Sequence, residues 1–297
     1  MLFDRQKLLL ALVNSLGGKI GSMDFQKLLL LYCNETEESP AYEFIPYKYG
    51  AFSFTSYADK RKLINKGLLV DEDREWQLTP EGRSTTATNS KRLIMEEFSR
   101  RYSGLRGDDL VAETYKRYPY YAIRSEIIDR VLAGEVTARE AIDAARPKIS
   151  ESGLCTIGYE GRSLESYLNT LVQDGVTLLC DVRRNPLSRK YGFSKNTLSK
   201  GCEGVGIRYE HLPELGIASE YRRELKTQAD YEALFATYTR ESLPRQINSL
   251  IKINSWVEKG DRVALTCYER LPEQCHRTCV ADALEQQFGN KYSSRHL

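Results

Sequence analysis

From residue 153 onward, short apolar runs alternate with stretches of helical spacing, and this alternation constrains the fold more than anything else in the chain. Runs at 154–158, 177–182, 207–212 and 263–267 read as strands. Helical spacing covers 164–173, 195–200, 214–224, 229–240, 243–258 and 278–288, and the tail reads as a last short strand. Strands separated by a helix's length of chain pair in parallel, with helices covering both faces. The expected fold class is α/β: a mostly parallel sheet flanked by helices, over residues 151–297.

Chemistry-bearing residues cluster just after these runs. The first run leads into Gly158, Tyr159 and Glu160; the second into Asp181, Arg183, Arg184, Ser188 and Arg189; the third into Tyr209, Glu210 and His211. The fourth opens the densest stretch of all, CYERLPEQCHR, from Cys267 to Arg277. In a parallel sheet these ends share one rim, where the following helix also offers unpaired N–H groups. Asp181 and Arg183 alternate along a strand end and so point to one side. Planar guanidinium groups on three separate loops suit a phosphate, which makes Arg183, Arg189 and Arg277 a candidate clamp, with Arg184 and Ser188 beside it. The competing reading is an internal Asp–Arg bridge that holds the loop. Glu269 and Glu160 are the carboxylates placed for general acid–base work, His276 for a proton shuttle, and Asp181 for orienting a partner or binding a hydroxyl. The plainer alternative pairs Glu269 with Arg277 and makes His276 a helix cap.

Cys267, Cys275, His276 and Cys279 have the right donors for zinc but no Cys-x-x-Cys knuckle, and adjacent Cys275 and His276 are expected to diverge at a helix start. No metal or cofactor is therefore assigned from sequence. A nucleophilic Cys275 lacks the glycine-rich loop and the Cys-x5-Arg spacing of phosphatases, and Cys267 reads as a buried structural thiol.

The segments TIGYEG, CDVRRNPLSRKYGFSK, YEHLPELG and CYERLPEQCHR, in this order over about residues 153–297, resemble the successive motifs of the domain-of-unknown-function 488 family. The resemblance implies a compact α/β domain and maps its motif positions onto Gly158, Asp181, Arg183, Pro186, Ser188, Arg189, Cys267, Glu269, Cys275, His276 and Arg277. It implies no settled activity.

The first half of the chain has a different texture. Helical spacing at 3–16 and 24–34, a β-prone run at 42–47, a helix near 53–66, then GLLV at 67–70 and EWQL at 75–78 read as helices followed by a short ribbon. The stretch FIPYKYGAFSFT resembles winged-helix-like domains of the Panacea/SocA type, over about residues 5–83. Such domains serve as DNA readers and as protein contacts. Lys60, Arg61, Lys62 and Lys66 on the helix near 53–66 form either a phosphate-binding basic face or a solvated one. Residues 84–150 read as a polar helical connector, with a Ser/Thr-rich boundary at 84–90. Within it, YKRYPYYAIRS (115–125) suits base stacking or, preferably, interior packing. The expected division is 1–83, 84–150 and 151–297.

Forty-three Lys and Arg against 41 Asp and Glu give a net charge of +2, so any nucleic-acid surface has to be local. No apolar run approaches the ~20 residues of a membrane span, so no membrane partner is expected. Seven cysteines without framework spacing, and no recognisable export signal, lead to an expectation of reduced thiols and a cytoplasmic setting. The first function expected is a nucleic-acid-associated protein. Its α/β domain would bind a phosphate-containing ligand, a nucleotide or a modified or damaged base held by Tyr159, Tyr191 or Tyr268, and could hydrolyse it. DNA or RNA would be the partner of the N-terminal domain, in repair, modification or anti-phage defence. The alternatives are a non-enzymatic anion or nucleotide sensor and a cysteine- or zinc-dependent small-molecule enzyme. Sequence sets no oligomeric state.

Overall fold

The computed structural model describes residues 1–86, 91–147, 151–222, 225–289 and 295–297. The chain divides into two units, Met1–Arg146 and Pro147–Leu297.

The first unit runs α1 (Asp4–Ser15), β1 (Lys19–Gly21), α2 (Ser22–Thr36), β2 (Ile45–Tyr47), β3 (Gly50–Phe52), α3 (Phe54–Asn65), β4 (Glu75–Gln77), α4 (Pro80–Thr85), α5 (Arg92–Arg101), α6 (Gly107–Arg117), α7 (Ile128–Val131) and α8 (Val136–Ala144). The Ser53 hydroxyl accepts from the Ser56 N–H and so starts α3, and Pro80 supplies the preset φ that begins α4. α1 and α2 are buried almost all round, with Leu9, Leu12, Leu28 and Leu31 fully enclosed and Phe25 against Trp76. β1 pairs antiparallel with β4, and β2 with β3 in a hairpin. The ribbon expected from GLLV and EWQL is reduced to one antiparallel bridge, Leu69 to Leu78; the regular partner of β4 is β1.

The separate connector expected at 84–150 is not observed. Met95, Phe98, Tyr102 and Leu110 belong to the same apolar cluster as α1 and α2, because α5 and α6 are amphipathic and bury their apolar stripes there. Residues 87–90 of the expected boundary lie outside the described residues. The tyrosine-rich segment packs inward: Tyr115 is buried with its hydroxyl 2.6 Å from Ser125 Oγ, and Tyr121 meets Phe44 edge-on.

The second unit contains β5 (Gly153–Gly158), α9 (Leu164–Gln173), β6 (Leu178–Asp181), α10 (Lys195–Gly204), β7 (Arg208–His211), α11 (Gln228–Thr237), α12 (Ile247–Glu258), β8 (Arg262–Cys267), α13 (His276–Phe288) and β9 (Arg295–His296). Where sequence spacing suggests one helix over 214–224, short 3-10 turns occur at Pro213–Leu215 and Ser219–Arg222, and 223–224 lie outside the described residues. All five strands are parallel, in the order β7-β6-β8-β5-β9. Their side chains alternate between faces. Leu178, Cys180, Val263 and Leu265 join Leu250, Ile253, Val280 and Leu284 of α12 and α13 in one core. Thr266 points to the other face, where its hydroxyl accepts from Tyr167 of α9. β8 lies between β5 and β6, so Gly158, Asp181 and Cys267 end side by side on one rim.

Candidate functional site

That rim carries a cleft of about 300 Å³. Its lining includes Tyr159 after β5, Arg183, Arg184, Ser188 and Arg189 after β6, Cys267 at the end of β8, Tyr268 just after it, and His276 at the start of α13. The rim thus gathers residues that lie up to 117 positions apart in the chain, from Tyr159 to His276.

Two faces of the sheet deliver different chemistry here. On the α9 side, Asp181 is fully buried and holds Arg183 through both carboxylate oxygens. Asp181 also accepts from the Tyr209 hydroxyl at 2.6 Å and from the Arg183 backbone N–H at 3.1 Å. Arg183 donates further to the Tyr159 hydroxyl and the Phe193 carbonyl, both at 2.9 Å. Burial works against the Arg183 charge, but the Asp181 carboxylate outweighs it and keeps the guanidinium firmly protonated. Burial and then the same carboxylate push the Tyr209 hydroxyl well up. Tyr159 is buried and stacked on Phe193, centroids 4.4 Å apart.

Three expectations change with this geometry. Asp181 and Arg183 form the internal bridge of the competing reading, so Asp181 is already paired and Arg183, at the cleft edge, already has a carboxylate partner. Tyr159 borders the cleft but is 3% exposed, its ring stacked on Phe193 and packed near Arg183, which leaves Tyr268 as the exposed ring there. Arg277 is 1% exposed and spends its N–H groups on Thr156 Oγ1 and on the carbonyls of Glu269 and Arg270, which fixes the β8–α13 loop rather than a ligand. Arg184 and Arg189 remain the exposed arginines of the cleft wall. Ser188 lies between them in sequence and accepts from the Lys190 backbone N–H.

On the α13 side, Cys267 continues the register of Val263 and Leu265, so its thiol faces the start of α13. There His276 Nε2 lies 2.9 Å from the Val182 carbonyl and Nδ1 lies 3.7 Å from Cys267 Sγ. A carbonyl only accepts, so Nε2 carries the hydrogen and the Nδ1 lone pair is directed at the thiol. Glu269 Oε2 lies 3.3 Å from the same sulfur. Cys275 is fully buried, and burial raises its thiol well above the ordinary range, the opposite of an activated nucleophile. Glu160 accepts from the Arg270 backbone N–H at 3.0 Å, so it braces this loop. Tyr268, half exposed, stands edge-on to Tyr159 at the cleft mouth.

Gly158 is needed for close approach. A Cβ there would overlap the Glu269 carbonyl oxygen, a backbone atom that cannot rotate away. Gly158→Ala is expected to destabilise the second unit by at least ~1 kcal/mol through overpacking, and to displace the loop that carries Tyr268 and Glu269. Urea unfolding monitored at Trp256 measures the first effect; an unchanged midpoint would remove this role for Gly158.

Residues 163–284 match the family model described as Domain of unknown function DUF488. The match holds α9 through most of α13, while the TIGYEG motif at β5 lies just ahead of it. No curated protein and no solved structure matches the chain. The DUF488 segment thus contributes Arg184, Ser188, Arg189, Cys267, Tyr268 and His276 to the cleft.

In the first unit the expected basic face is reshaped. Lys60 is buried, with Nζ donating to the Glu72 and Glu75 carbonyls and lying over the Trp76 ring at 5.2 Å. Burial lowers its pKa. It is a structural cation, excluded from any phosphate contact. Arg61 and Lys62 stay exposed on α3, and Lys66 just past its end. Arg61 lies 3.5 Å from Asp71, and Lys62 4.0 Å from the buried Asp59.

Proposed function

We propose that the second unit binds a phosphate-bearing ligand of the nucleotide class in the rim cleft. The supporting observation is the cleft wall itself: Arg184 and Arg189 reach it from one short loop, with Tyr268 at the mouth offering a ring face. Guanidinium groups bind phosphate oxygens in forked pairs, and an exposed ring stacks a base. The buried Asp181–Arg183 bridge supports the reading indirectly, because it holds the chain just before this loop in place. For the first unit, the winged-helix-like order of α1, α2, α3 and the β1–β4 pair, with Arg61 and Lys62 exposed on α3 and Lys66 just past its end, supports a sequence-tolerant contact with nucleic-acid phosphates.

Fluorescence anisotropy with labelled nucleotides and with short DNA and RNA strands, across a salt series, tests both parts. Arg184→Ala/Arg189→Ala is expected to weaken nucleotide binding at least tenfold, since a single charge-assisted hydrogen bond contributes ~1.5–3 kcal/mol. Arg61→Ala/Lys62→Ala/Lys66→Ala is expected to flatten the salt dependence of nucleic-acid binding and leave nucleotide binding unchanged. Nucleotide binding that is absent from the wild type, or equal in the arginine double variant, would refute the cleft assignment.

A further inference from the structure

Cys267, Cys275 and His276 are 8 and 1 residues apart in sequence, yet their Sγ, Sγ and ring nitrogen atoms lie within 4.8 Å of one another, and all three side chains are buried. The convergence has a local cause. Pro272–Gln274 forms a 3-10 turn that folds the loop back, and Cys275 is extended (φ −135°, ψ 130°) just before α13 begins. Cys275 and His276, adjacent in the chain, thereby both reach the thiol of Cys267.

We infer that Cys267, Cys275 and His276 form a site for a thiophilic divalent cation, zinc above all, at the floor of the rim cleft. Three features carry the assignment. The donors are two sulfurs and an imidazole, a set that suits zinc and disfavours magnesium or calcium. The imidazole is oriented as a ligand: Nε2–H donates to the Val182 carbonyl, which directs the Nδ1 lone pair to the sulfurs, the outer-shell arrangement common to metal-bound histidines. The spacing fits as well. Zinc bonds of about 2.3 Å to sulfur and 2.0 Å to nitrogen in a tetrahedron set the S–N edge at about 3.5 Å, and Cys267 Sγ to His276 Nδ1 measures 3.7 Å.

The position of the cleft specifies the kind of site. Cys267 and His276 line it. Three protein ligands leave a fourth tetrahedral position, open to an exchangeable water, a ligand atom from the cleft, or the Glu269 carboxylate, whose Oε2 lies 3.3 Å from Cys267 Sγ. This inference stands on the α13 side of the sheet and does not rest on the nucleotide reading, which uses Arg184 and Arg189.

The test uses the full chain, purified under reducing conditions without chelator. Elemental analysis is expected to find about one zinc per chain. Cobalt(II) added to chelator-treated protein is expected to give thiolate-to-cobalt charge-transfer absorption with the intense visible bands of a four-coordinate site. Cys275→Ser and His276→Ala are expected to lose both signals, while Cys279→Ser, on α13 but outside the triad, keeps them. Wild-type protein that retains its circular dichroism yet takes up neither zinc nor cobalt would overturn the inference, whatever the variants do. Undiminished zinc in a folded Cys267→Ser/Cys275→Ser variant would overturn it equally. Neither readout involves nucleotide, so failure here is separable from failure of the cleft assignment.

Discussion

Asp181→Ala is expected to destabilise the second unit by about 3–5 kcal/mol, the cost of leaving a buried charge without its partner. The side chain is fully enclosed, and Arg183 is only 6% exposed, at the edge of the cleft. Removing the carboxylate strands a guanidinium that has lost two of its acceptor contacts, and a Tyr209 hydroxyl as well. The charge itself, rather than the shape, accounts for most of the loss, so Asp181→Asn is expected to recover little. Asp181→Leu/Arg183→Met removes both charges and is expected to be less damaging than Asp181→Ala alone, because neither desolvated ion remains. Urea unfolding of the three variants decides the matter. A shift below about 1 kcal/mol for Asp181→Ala would show that the bridge is not holding the rim.

Raising the pH from 7 to 9 is expected to stabilise the first unit through Lys27. This lysine lies in α2, is buried, and donates to the Ala51 carbonyl at 3.0 Å. Burial pushes its pKa down to about 7, with Asp24 opposing only weakly. In the unfolded chain the amine keeps its ordinary value near 10.4. Between the two values the unfolded state holds a proton that the folded state does not, so stability falls as pH drops from 10 towards 7 and rises as pH increases. The gain between pH 7 and pH 9 is about 2 kcal/mol. Lys27→Met removes the slope. It also removes a donor from Ala51, which costs about 1 kcal/mol at every pH. Cys33, whose thiol burial raises to about 12, acts with the opposite sign near pH 9, and cancels when wild type and variant are compared. In a Trp256→Phe background Trp76 is the remaining tryptophan and reports the first unit. Parallel stability curves for the two proteins would eliminate this account of Lys27.

The parallel sheet was legible because its inner strands β5, β6 and β8 are buried on both faces and read as apolar runs, while β7 and β9 at the edges are half-buried or exposed. That chemistry gathers at one end followed from the same pattern, whereas the order β7-β6-β8-β5-β9 came only with the structure. What sequence did not settle was which cations face water. Arg183 and Arg184 are adjacent and both border the cleft, but the first is buried and bonded to Asp181, Tyr159 and Phe193 while the second is exposed. Nothing in the residue types separates them; only the sheet face does. Lys60 misled for the same reason, since α3 turns it onto Trp76. The metal-donor cluster was hidden by spacing. A rule built on Cys-x-x-Cys knuckles is blind to a cysteine on a strand end meeting a Cys-His pair across a folded-back loop.

The strand order also has a consequence for synthesis. β5 and β6 emerge from the ribosome first but touch each other only through β8, which completes with Cys267. Until then neither has its central neighbour, although β7 can already pair with β6, and 80 residues of chain separate Asp181 from Arg262. The first unit, closed by Arg146, carries no such debt and is able to fold while the rest is still being translated. The nascent second unit is therefore the stage at which this protein is most exposed to misassembly and to chaperone capture.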